Sequence, residues 1–187
     1  GAFVVQAFNQ PDQRFNDIWL AELWILGIAS LSYLALSQVN ELRQRENIRY
    51  IDWLLTVPVL IYIYWRFAQI NGWPDNFIGL FTAAVVMIIA GYLAKRPEIS
   101  PSYRRAFLFL SFIALAFILY EVFIIAEFLR QERGIDVGII PVFFYFGWTA
   151  YGLVYFASIE RREELYSILD LINKVIFAFT FNLLLLS

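Results

Sequence analysis

The 187-residue chain contains no cysteine and no histidine, and only one methionine. Without cysteine there is no disulfide, no thiolate metal site and no cysteine nucleophile. Without histidine the commonest metal ligand and the usual neutral-pH proton shuttle are missing too. Any proton chemistry therefore falls to carboxylates, tyrosines, lysine or water. Charge is also scarce: Asp, Glu, Lys and Arg make up 16% of the chain, with a net charge of −2. No basic stripe is present, which excludes nucleic acid as a partner.

What the chain has instead is apolar length. Hydrophobic residues make up 61% of it and mean hydropathy is +0.65, whereas roughly half of an ordinary globular domain is apolar. A membrane span needs about 20 apolar residues. Six stretches meet this approximately: 18–39, 50–70, 77–94, 103–129, 137–159 and 165–186. The segments between them are short and polar, and Gly72-Trp-Pro and Arg96-Pro-Glu-Ile-Ser-Pro are helix breakers. Short loops favour antiparallel neighbours. The sequence thus predicts an all-α, multi-pass integral membrane protein, a single transmembrane domain over 1–187 with no internal repeat. The opening segment Gly1–Phe8 is apolar but too short for a span or a signal peptide.

The few buried charges are the informative residues. Lys174 falls in the middle of the last apolar stretch, and Asp170 lies one helical turn before it. An ammonium at bilayer depth costs a few kcal/mol, so such a lysine is a functional hypothesis by default. A Lys–Asp pair can be structural neutralisation, or the lysine can carry a covalent Schiff base with the aspartate as counterion. In the second stretch Arg49, Asp52 and Thr56 are spaced i, i+3, i+7 and share a face. Thr56 is placed to hydrogen-bond to the aspartate, and Arg49 to stabilise its ionised form. The same spacing also suits an Arg–Asp pair that merely anchors a helix end. Asp52, Asp170 and Lys174 together, on two buried faces, point to one shared polar site. Glu22 is expected near a helix end and solvated.

Arg49-Tyr-Ile-Asp-Trp-Leu-Leu-Thr-Val-Pro58 resembles the third-helix signature of microbial (type 1) rhodopsins, most nearly that of proteorhodopsins. Asp170-x-x-Asn173-Lys174 resembles the last helix of that family, Phe146-Gly-Trp148-Thr-Ala-Tyr151 the sixth, Tyr120-Glu121 the fifth and Val86-Met87-x-x-x-Gly91-Tyr92 the fourth. The matches run in order across nearly the whole chain. The resemblance implies an antiparallel seven-helix bundle in which the six stretches are helices two to seven. Gly1–Phe8 would be the remnant of a mostly absent first helix. It implies all-trans retinal bound covalently to Lys174 as a Schiff base. Asp52 would be the primary counterion and proton acceptor, Asp170 the second counterion, and Arg49 would sit on the release side. Thr56 would hydrogen-bond to Asp52. Trp53, Trp148 and Tyr151 would sandwich the polyene, with Tyr50, Leu60, Met87, Gly91 and Asn173 completing the pocket. An apolar Leu60 resembles green-absorbing proteorhodopsins. No metal site and no enzymatic activity are implied. The implied partners are retinal, the lipid bilayer, further copies of the chain, and a signalling or channel partner if the chain is sensory.

The sequence departs from the family pattern at several places. Ile63, three turns beyond Asp52, stands where pumping proteorhodopsins carry a donor carboxylate. Ile63 cannot give a proton, so a slow cycle is expected. Ser32 stands where many proteorhodopsins have a histidine paired to the counterion, Gly152 where proline is usual, and Tyr155 where tryptophan is usual. Lys and Arg are concentrated in the loops holding Arg43, Arg45, Lys95, Arg96, Arg104, Arg105, Arg161 and Arg162. The positive-inside rule puts those loops in the cytoplasm, opposite to the usual family orientation. Two functions remain open: light-driven proton translocation, and a photosensory or light-regulated module, including a light-gated channel, without net pumping.

Overall fold

The computed structural model describes residues 15–186; the segment read as a first-helix remnant lies outside them. The described regular structure is helical throughout. Four α-helices come first: α1 (Asn16–Ser37), α2 (Leu42–Ile70), α3 (Ile78–Ala94) and α4 (Pro101–Arg133). A fifth helical run, α5 (Ile139–Val154), is π-helical over Phe143–Trp148, and a sixth, α6 (159–186), is π-helical over Ile172–Ile176. Helix is the natural outcome for long apolar runs, because in lipid every backbone polar group must be satisfied within the segment. Among the described residues, α1, α2 and α4 have the length and apolarity to cross a membrane, and α3 and α5 are shorter apolar helices.

The breaks follow local chemistry. After α2, Gly72 adopts φ +94, open to a residue without Cβ. A Cβ there would also run into the Arg133 guanidinium. Pro101 opens α4, where a missing N–H costs nothing. Gly134 ends α4 in the left-handed region at φ +68, and the Ile135 N–H turns back to the Leu129 carbonyl at 3.0 Å.

α1 and α2 run antiparallel in a register set by two hydrogen bonds. The Trp24 indole donates to the Leu55 carbonyl at 3.1 Å, and the Tyr62 hydroxyl donates to Asp17 Oδ2 at 2.9 Å. Pro58, inside α2, leaves the Leu54 carbonyl without its backbone donor, and the Trp24 indole bonds to the carbonyl next to it, that of Leu55. α2 is the central element, with Tyr64, Ile61, Ile63 and Ala68 wholly enclosed. Ile118, Val122, Ile125 and Leu129 of α4 pack on the same core, with Phe144 of α5 and Phe181 of α6. Outward faces carry large apolar side chains such as Leu31, Leu34, Phe109 and Phe117, as a lipid-facing surface requires.

Candidate functional site

Lys174 and Asp52 meet in the middle of the bundle. Lys174 sits in the π-helical turn of α6 and is 6% exposed; Asp52, on α2, is 2% exposed. Lys174 Nζ forms an ion pair with Asp52 Oδ2. The other carboxyl oxygen, Oδ1, is buried and has no hydrogen-bond partner among the described residues. Ser32 of α1 lies close enough to this carboxyl to interact with it. Thr56 corrects one expectation. Its hydroxyl donates to the backbone carbonyl of Asp52 at 2.8 Å and not to the carboxylate. A threonine one turn further along a helix reaches back to the i−4 carbonyl most easily, so the carboxyl is left facing the lysine.

Asp170 occupies a second, denser network. Its Oδ1 accepts from the Tyr151 hydroxyl at 2.6 Å and the Trp53 indole at 2.9 Å. Its Oδ2 accepts from Arg49 Nη1 at 3.1 Å and, more loosely, from the Tyr33 hydroxyl at 3.4 Å. Arg49 is 1% exposed and is the hub. Beyond Asp170 it donates from Nε to Glu163 Oε2 at 3.1 Å and from Nη2 to Ser167 Oγ at 2.6 Å and the Glu163 carbonyl at 3.1 Å. Arg49 therefore bridges to the last helix, where it meets Asp170. The pair it forms is not a local Arg–Asp anchor within α2.

Glu163 and Ser167 were not singled out from the sequence. The signal was present, since Glu163, Ser167, Asp170 and Lys174 follow at intervals of four, three and four, one face of a helix. Charged neighbours at the start of α6 hid it, because a run of Arg and Glu reads as solvated. Glu22 is a second correction. It is 7% exposed and accepts a hydrogen bond from Asn182 Nδ2 at 2.9 Å. α1 begins at Asn16, so Glu22 lies well inside it and faces α6.

Beside Lys174 lies a cavity of about 890 Å³, its open mouth included, in the range of small-molecule sites. All nine expected pocket residues line it: Lys174, Tyr50, Trp53, Leu60 and Met87, with Gly91, Trp148, Tyr151 and Asn173. Thr56, Asp170, Gly152 and Tyr155 line it as well. The sequence reading missed the α4 wall, made by Leu108, Ser111, Phe112 and Leu115, and Tyr166 of α6. Those positions carry ordinary lipid-compatible residues with no distinguishing pattern. Phe146, part of the same motif as Trp148, is turned outward and is 75% exposed.

The walls are shaped by aromatic packing and small residues. Trp53 packs edge-on against Tyr151 and Tyr166, at centroid distances of 5.3 and 5.0 Å. Both π-helical segments border this space, one carrying Trp148 and the other Lys174; widened turns of this kind are frequent at functional sites. They touch at Gly147, where a Cβ would overlap the Asn173 amide. At Gly91 a Cβ would press on Ser111 Oγ at 3.3 Å. Lys95, just past the end of α3, packs against the lining residue Tyr166. Its ammonium bonds to Glu46 at 3.1 Å and to the Tyr166 hydroxyl at 3.2 Å, and lies over the Tyr166 ring at 4.9 Å.

These features suit a long apolar ligand attached at Lys174: an amine at the cavity wall, a carboxylate against it, an orphaned carboxyl oxygen, and aromatic and aliphatic walls. Among the described residues no group of His, Cys, Asp and Glu is arranged to hold a metal ion.

Comparison with known proteins agrees in kind. The chain matches the family described as bacteriorhodopsin-like protein over residues 1–186. It is 25% identical to bacteriorhodopsin-II of Haloarcula marismortui, over 95% of this chain and 78% of that protein. It is 24% identical to archaerhodopsin-1 of Halorubrum ezzemoulense, over 95% and 75% respectively. Among solved structures, the light-driven proton pump rhodopsin of Coccomyxa subellipsoidea superposes with a TM-score of 0.79 at 23% identity, covering 100% of this chain and 88% of that one. Exiguobacterium sibiricum rhodopsin superposes with a TM-score of 0.74 at 22% identity, covering 99% and 86%. With apolar helices of membrane-spanning length and a family model spanning almost every residue, the chain is an integral multi-pass membrane protein that belongs to the bacteriorhodopsin-like family of microbial type 1 rhodopsins.

Proposed function

We propose that the protein is a retinal-binding photoreceptive membrane protein that moves protons in the light, of the proteorhodopsin type and with a slow cycle. The observation that carries this is the buried ion pair of Lys174 with Asp52 at the wall of an aromatic-lined cavity. All-trans retinal would be held covalently on Lys174 Nζ, between Trp53, Trp148 and Tyr151. When bound, it supplies absorption of visible light and a change of shape that alters the proton affinity of the attached nitrogen.

The chain's own residues do the rest. Asp52 balances the charge on Lys174 Nζ, and its unpartnered Oδ1 is a ready acceptor for a proton leaving that nitrogen. Asp170 is a poor acceptor by comparison, because Trp53, Tyr151 and Arg49 already occupy its oxygens. It serves as the fixed second counterion. Arg49, Ser167 and Glu163 extend the polar network away from Lys174 and form the route for onward release. Ile63 is fully enclosed by apolar neighbours and holds no proton, which supports slow return of the proton. The same observation favours a second reading, a photosensory or light-regulated module, including a light-gated channel, without net pumping.

The absorption spectrum with and without retinal tests the first claim. The expected result is a green-absorbing pigment lost in Lys174→Ala; a visible chromophore in that variant would overturn it. Illuminated cells containing the pigment should acidify the medium in a protonophore-sensitive way. A photocycle lasting seconds with no pH change would select the sensory reading.

A further inference from the structure

We infer that Glu22, with Asn182, is the internal proton store that returns a proton to Lys174 Nζ, in the role that Ile63 cannot fill. The inference rests on the retinal-binding reading above.

Glu22 is built in, not incidental. It is 7% exposed on a helix whose outer face is apolar. One carboxyl oxygen accepts from Asn182 at 2.9 Å, and the other, Oε1, is buried with no hydrogen-bond partner among the described residues. Among the described residues Asn182 is the one side-chain partner of the carboxyl. The nearest ionisable cluster on α1 and α2 is Asp17 with Arg66 and Tyr62, and these bond to one another and not to Glu22. A carboxylate there would be an uncompensated buried charge. A carboxylic acid satisfies the site better, with a proton on the oxygen that faces no donor.

Its position follows from two helices independently. On α6, Asn182 lies eight residues beyond Lys174, or about 12 Å at the usual helical rise. On α1, the bonds Trp24–Leu55 and Tyr62–Asp17 put Glu22 level with Val57. Val57 is five residues beyond Asp52, about 7.5 Å along α2. Both routes place Glu22 on one side of Lys174, while Asp170, Arg49 and Glu163 lie on the other. Among the described residues, the buried carboxylates are Glu22, Asp52, Glu163 and Asp170, so Glu22 is the one on its side. Directional movement needs a donor on the face opposite the release network, and Glu22 stands there.

The step balances simply. The Glu22 O–H bond breaks, its proton passes through intervening water to Lys174 Nζ, and the carboxylate left behind regains a proton from the aqueous side near Asp17. Phe177 and Phe181, buried and stacked at 5.6 Å, stand on α6 between Lys174 and Asn182. Water must enter past them, so the transfer is slow.

The test uses the full-length pigment and Glu22→Gln, which keeps the shape and an acceptor for Asn182. Infrared spectra of the resting protein should show a protonated-carboxyl stretch in the wild type that the variant lacks, a readout independent of turnover. Flash photolysis should show proton return to Lys174 slowed about a hundredfold, the scale of losing a general acid. Glu22→Asp should restore part of the rate, and a diffusible weak acid such as azide should restore Glu22→Gln. An unchanged rate in a Glu22→Gln pigment that does lose and regain its proton overturns this inference alone, as does a missing carboxyl band. A wild-type pigment that never loses its proton overturns the underlying functional reading and this one with it.

Discussion

Replacing Asp170 by Asn exposes how the second counterion is held. The carboxylate receives two donors on each oxygen: Trp53 and Tyr151 on Oδ1, Arg49 and Tyr33 on Oδ2. An amide has one oxygen and one NH₂ group. The tyrosine hydroxyls can rotate to accept from that NH₂, but the Trp53 indole and the Arg49 guanidinium are donors only. The amide oxygen will therefore turn to Arg49 and leave the Trp53 N–H facing another donor. Losing the charge on the Arg49 bond costs about 1.5–3 kcal/mol, and the orphaned indole about 1–3 kcal/mol more. The sum, about 2.5–6 kcal/mol, brackets the roughly 3–5 kcal/mol typical of breaking a buried ion pair. Trp53→Phe removes the orphaned donor. The double variant should then be less destabilised than the two single losses combined, by about 1–2 kcal/mol. The assay is reversible unfolding of the solubilised protein in increasing SDS, for the wild type and the three variants. Additivity within about 0.5 kcal/mol, or an Asp170→Asn loss below about 1 kcal/mol, would refute the reasoning.

Other outcomes follow from single contacts. The Lys95 ammonium is pushed down to about 8 by burial, against which Glu46 pulls it up. The unfolded lysine titrates near 10.4, so between those pH values the unfolded chain holds the extra proton. Stability should rise with pH over that window, by up to about 3 kcal/mol, and Lys95→Met should flatten the rise in unfolding measured from pH 8 upward. Ile63→Glu should speed proton return to Lys174, seen by flash photolysis, if position 63 lies in the path. It should also lower thermal stability by a few kcal/mol, because Ile63 is fully enclosed in the apolar core.

Membrane class, helical fold and most of the pocket were legible in the residues alone. Apolar runs separated by short polar breakers leave few alternatives in lipid, where only internally bonded helices can span. Lys174, Asp52 and Asp170 were legible because a charge in such a run stands out against its cost. The pocket residues Trp53, Met87, Gly91, Trp148 and Tyr151 were legible only through motif resemblance, since each alone reads as packing.

What tertiary structure decided is pairing, which depends on which faces meet. Sequence placed Arg49 beside Asp52 on one helix, yet Arg49 reaches across to Asp170 and Glu163 on α6. Asp52 is thereby left to Lys174. Glu22 was expected to be solvated near a helix end and Glu163 fell in a polar segment between apolar stretches; interhelical packing buries both, Glu163 against arginine and Glu22 against an amide. A side chain's neighbours within its own helix are set by spacing. Its neighbours across the bundle depend on the rotation and register of each helix, and those are fixed only when all the faces pack together.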